Sequence, residues 1–138
     1  MKYDQLIGQF VSIRAVALNL REAAEALARN ANGTRSHIMP APTAYELLGH
    51  LKLTLSHLSE VAAFLPQGLR SSLDNCNVTI TDRDLLTGEG RDPDESVKQA
   101  CQALNQLSAA LVAAATFAES AQGALSSQGY EPVNVQPA

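Results

Sequence analysis

Three stretches of the chain repeat apolar residues at alternating steps of four and three, which is the pattern of a helix with one buried face. The first stretch spans residues 3–29, and Asn32-Gly33 follows it as a helix-stop signal. The pattern therefore predicts a first helix over residues 3–29. Its apolar stripe consists of Leu6, Phe10, Ile13, Ala17, Leu20, Ala24 and Leu27.

A second stripe predicts a helix over residues 43–65. Thr43 and Glu46 have the spacing of a capping box, in which two side chains bond free backbone amides at a helix start. Pro66 lacks a backbone N–H, so we expect a break there and a short helix over residues 67–74, either separate or as a kinked continuation of the second helix. The stripe consists of Ala44, Leu48, Leu51, Leu55, Leu58, Ala62 and Leu65.

A third stripe predicts a helix over residues 93–128, opened by Asp92 as the cap and Pro93 in the first turn. No charged residue lies between Lys98 and Glu119. A helix exposed to solvent normally carries charges, so this segment is expected to be buried on more than one side. We therefore predict a homodimer whose interface contains Leu104, Leu107, Leu111, Ala114 and Ala118.

These stripes define the expected fold class, which is all-α. We predict an up-down helical bundle of three long helices, packed like a coiled coil, with one short helix after a Pro break and completion by dimerisation. The chain has 138 residues, of which 46% are hydrophobic and only 4% aromatic, a composition that suits closely packed helices better than a sheet. One domain is expected over residues 1–130, followed by a flexible tail at 131–138.

Charge and cysteine content limit the kinds of binding partner and the cellular compartment that we expect. Ten basic residues are set against 14 acidic ones, for a net charge of −4, which argues against direct binding to nucleic acid or to an anionic membrane. The longest apolar run is too short to span a bilayer. Cys76 and Cys101 lack the spacing of a zinc site or a redox pair, and we expect a reducing, cytoplasmic setting.

The segment 75–92 is the main candidate for a binding site, because so long a loop is uncommon in a short chain and is often functional. The spacing of Asp82, Asp84 and Gly88 has a faint likeness to a calcium loop, but the later ligands of such a loop are missing. Acidic side chains in contact with water explain most of the charge in this segment. Among functions, contact with another protein is favoured over calcium binding. The predicted partner-binding residues are Val78, Ile80, Asp82, Asp84, Leu85 and Leu86.

A second candidate is a polar face on the second helix, where Glu46, His50, His57 and Glu60 recur at helical spacing. Histidine and carboxylate ligate zinc, iron or manganese, so a metal-dependent bundle enzyme using His50 and His57 is an alternative. The two histidines are about 10 Å apart along the axis, and other helices would have to complete the shell. A solvated polar face is the simpler interpretation, and we expect no metal, no other cofactor and no catalytic residue.

Two segments carry a resemblance. The first runs from Tyr45-Glu46-Leu47-Leu48-Gly49-His50-Leu51 to Leu65-Pro66-Gln67-Gly68-Leu69, and the second is Ser120-Ala121-Gln122-Gly123-Ala124-Leu125 with the residues after it. Together they resemble uncharacterised small helical proteins of actinobacteria and their phages or mobile elements. The resemblance implies an accessory or regulatory role made of contacts. We therefore expect a non-enzymatic protein-protein interaction module, with an assembly factor of a virion or nucleic-acid complex as a further alternative.

Overall fold

A computed structural model of the chain describes residues 3–32, 38–74 and 80–129. Three long helices and one small hairpin make up this part, in the order α1 (Tyr3–Asn32), α2 (Ala41–Leu73), β1 (Asp82–Arg83), β2 (Gly90–Arg91) and α3 (Pro93–Leu125). The predicted all-α class is confirmed in outline. Val78 and the predicted tail lie outside the described residues.

The chain divides into two compact units, Met1–Met39 and Pro40–Ala138. The expected single domain over residues 1–130 stays a prediction, and each unit is described separately. The first unit contains α1, a helix of 30 residues that begins near Asp4 and carries Arg29 in its last turn, where the charges complement the helix dipole. All its side chains from Ile7 to Asn32 are exposed, including the apolar stripe from Phe10 to Leu27.

The second helix begins earlier than the sequence indicated. It starts at Ala41, the preceding Pro40 forms no side-chain cap, and the amide of Ala44 donates to the Pro40 carbonyl at 2.9 Å. The predicted capping box of Thr43 and Glu46 is therefore wrong. Pro42 explains the earlier start, because its fixed φ suits the first helical turn, where its missing N–H has no partner to lose.

The predicted break at Pro66 and the separate short helix over residues 67–74 are also wrong, because α2 runs through Pro66 without interruption. An internal proline removes one helical hydrogen bond and costs about 3 kcal/mol in an isolated helix. Here Pro66 is buried against α3, and its carbonyl accepts a weak hydrogen bond from Cys101 Sγ at 3.8 Å. Packing against α3 thus offsets the local tendency of proline to end a helix. That tendency is the only signal visible in the sequence.

Polar contacts fix α2 and α3 as an antiparallel pair, since residues later in α2 meet residues earlier in α3. Gln122 Nε2 donates to the Tyr45 carbonyl at 3.1 Å, and Ser108 Oγ donates to the Ser59 carbonyl at 3.2 Å. The two contacting stripes again follow steps of four and three. They are Leu48, Lys52, Leu55, Ser59, Ala62, Pro66, Leu69 and Leu73 on α2, and Val97, Cys101, Leu104, Ser108, Leu111, Ala115, Ala118 and Gln122 on α3.

The interior of this pair consists of small side chains. Among the described residues, the buried ones are Ala41, Ser59, Ala62, Pro66, Cys101 and Ala115. Small side chains let two helices approach closely, but a pair of helices cannot surround a leucine on all sides. Every described Leu, Ile, Val and Phe side chain therefore keeps part of its surface exposed.

The start of α3 matches the sequence prediction. Asp92 caps it, with its side-chain Oδ1 accepting from the amide of Asp94 at 3.0 Å, and Pro93 occupies the first turn. Before it, the expected long loop contains a two-stranded antiparallel ladder that pairs Asp82 with Arg91 and Arg83 with Gly90. This hairpin was not predicted, because each strand has only two residues and leaves no periodic pattern.

Candidate protein-interaction surfaces

The hairpin between α2 and α3 ends in a turn organised by Asp84. Its carboxylate Oδ1 accepts from the amides of Leu86 at 2.8 Å and Thr87 at 3.1 Å, as in other Asp-led turns. Its backbone also bonds both sides of the turn, because its amide donates to the Glu89 carbonyl and its carbonyl accepts from the Gly88 amide, each at 2.8 Å. Asp84 therefore holds the residues between positions 84 and 89 in one conformation.

The charge on Asp84 is part of this arrangement. Hydrogen bonds from the amides of Leu86 and Thr87 to the carboxylate lower the pKa of Asp84, and the nearby Arg91 guanidinium lowers it further. The ionised carboxylate is thus the form that supports the turn. Gly88 completes it with a φ of 71°, in the left-handed region that glycine adopts without steric cost.

Two leucines project from this ordered turn. Leu85 and Leu86 have relative exposures of 101% and 96%, so both side chains are fully in solvent. Burial of one leucine side chain stabilises a contact by about 1.5–3 kcal/mol. We call this pair the hairpin tip, and its adjacent leucines form a small apolar knob that a concave surface of another molecule can cover.

The remaining residues predicted for partner binding lie beside the tip. Ile80 is exposed at 36% just before β1, and Asp82 lies in β1 with its side chain half-buried. The Oδ2 atom of Asp82 is shielded from solvent and has no hydrogen-bond partner within the described part of the chain. The structure thus brings Ile80, Asp82, Asp84, Leu85 and Leu86 into one hairpin.

The residues predicted for a dimer interface divide between two faces of α3. Leu104, Leu111 and Ala118 are half-buried on the stripe that contacts α2. Leu107 is 47% exposed, and Ala114 is half-buried beside it. Only part of the predicted interface is therefore open to a second copy.

A second face of α3 is largely exposed, and the predicted dimer interface included only Leu107 and Ala114 of it. We call it the outer seam, and it consists of Ala103, Leu107, Ala110, Ala114, Phe117 and Ala121. Phe117 is its most exposed large side chain, at 74%. The signal was present in the sequence, since these residues also follow steps of four and three and share Leu107 and Ala114 with the predicted interface.

The polar face of α2 does not converge on a site. His57 Nδ1 lies 3.6 Å from Glu60 Oε2 with both side chains in solvent, while Glu46 and His50 are exposed on other turns. Across residues 3–32, 38–74 and 80–129, no group of three or more His, Cys, Asp or Glu side chains has metal-binding geometry. The predicted candidates Glu46, His50, His57 and Glu60 are thus present as a solvated surface.

Comparison with known proteins adds no relative. No protein-family model, curated protein or solved structure matches this chain. In the part of the chain that the structure describes, no helix has both the length and the apolarity needed to cross a bilayer.

Proposed function

We propose that this chain is a non-enzymatic protein-binding module and that the hairpin tip is its contact surface. The observation that carries this proposal is the full exposure of Leu85 and Leu86 on a turn held by several hydrogen bonds. A flexible loop loses conformational entropy when a partner orders it, whereas this turn is already ordered. More of the free energy of burying two leucines is then available for affinity.

The chemistry of the hairpin favours a particular kind of partner surface. The segment from Asp82 to Asp92 carries four acidic and two basic side chains, so its net charge is negative. An apolar pocket with a basic rim would complement this surface, because unlike charges steer the encounter and like charges suppress wrong partners. The proposed role is accessory or regulatory, in the reducing, cytoplasmic setting expected from the cysteine content.

The assembly of the helices belongs to the same proposal. The stripe of α1 leaves Phe10, Ile13, Leu20 and Leu27 exposed, and such a stripe is stable in water only when another surface covers it. We propose that the three helices associate as a bundle and that a second copy completes it. The similar lengths of the helices, 30, 33 and 33 residues, support this arrangement.

Affinity capture with matched variants tests the binding function. The tagged chain is incubated with extract of the organism that carries its gene, next to a Leu85→Ser/Leu86→Ser variant and a Leu53→Ser control. Leu53 is an exposed leucine on α2, with 57% exposure, far along the chain from the hairpin. We expect a protein that the wild type and the control retain in equal amounts and the tip variant loses. Equal retention by all three would exclude the hairpin tip as the contact surface.

A further inference from the structure

We draw no further inference here: the strongest candidate, the uncharged outer seam of α3 around the exposed Phe117, is an unpartnered apolar face, and nothing in the structure shows what covers it.

Discussion

The amide of Leu86 donates to the carboxylate of Asp84 at 2.8 Å, so the acid that precedes the two exposed leucines also fixes their position. The same oxygen accepts from Thr87, and together these bonds replace the water that an open loop would bind. The hairpin tip and the carboxylate that holds its turn are thus adjacent in sequence. Any substitution that removes the carboxylate is expected to make the hairpin tip more flexible while the two leucines stay unchanged.

Asp84→Ala is predicted to disorder the hairpin tip while the helices remain folded. Both hydrogen bonds to Oδ1 disappear, so the amides of Leu86 and Thr87 should exchange with solvent several-fold faster. Amide exchange measured by NMR checks this, with circular dichroism for the helices. Asp94→Ala serves as the control, because Asp94 lies in the first turn of α3. Unchanged exchange in Asp84→Ala would show that the backbone bonds alone hold the turn.

The order of the hairpin tip is predicted to depend on pH only in the acid range. The pKa of Asp84 is lowered, mainly by the amide of Leu86, so the turn binds fewer protons than the unfolded loop. The stabilisation is then fully present above the ordinary aspartate value of about 3.9 and is lost as pH falls through the lower pKa of the folded turn. The amide proton shifts of Leu86 and Thr87 should titrate below that value. A midpoint at or above it, or an unchanged titration in Asp84→Asn, would contradict the assignment.

Gly88→Ala is predicted to destabilise the hairpin, whereas Gly90→Ala is not. Gly88 has a φ of 71°, and an alanine there costs about 1 kcal/mol in the left-handed region. A Cβ at either position meets no atom within 4 Å, so the backbone conformation alone separates the two variants. NMR shifts of the hairpin amides measure the populations of the folded and the open hairpin in each variant. Equal effects of the two substitutions would mean that the turn adapts its backbone.

Ala62→Leu is predicted to destabilise the pair of helices, and Ala63→Leu is the control on the neighbouring residue. Ala62 is only 3% exposed between α2 and α3, and Ala63 is exposed. Added methylene groups in a packed contact cost about 1–3 kcal/mol, so thermal unfolding of Ala62→Leu should occur several degrees lower. The free energy of unfolding of Ala63→Leu should lie within about 0.5 kcal/mol of the wild-type value. A tolerant Ala62→Leu variant would show that the helices are not packed as closely as the structure places them.

Hydrophobic periodicity identified the three helices, but not the directions in which they pack. On α2 and α3 the apolar residues fill more than one stripe at the same spacing. The stripe chosen from the sequence for α3 ran through Leu107 and Ala114, whereas α2 contacts the stripe through Cys101, Ser108 and Ala115. The two stripes share Leu104, Leu111 and Ala118, so their faces differ by less than the roughly 100° that one residue rotates a helix.

Local signals were reliable only where no tertiary contact opposed them. Asp92 and Pro93 begin α3 as predicted, whereas the capping signal of Thr43 and Glu46 was wrong because α2 already starts at Ala41. Pro66 was misread, because its helical conformation depends on burial against Cys101, 35 residues away. Leu85 and Leu86 were identified as candidates for contact, but their complete exposure follows from the turn at Asp84 and not from composition.

Residues close together along the chain specify its helical class, the position of its connecting loop and the charge-free length of α3, so these three features could be read without the structure. Tertiary structure alone decided that α2 continues through Pro66, which stripe of α3 meets α2, and that Leu85 and Leu86 stand at the tip of an ordered hairpin. These features depend on which surface lies opposite each side chain. An amphipathic pattern specifies that one face of a helix must be covered. Only the packed structure shows which element covers it.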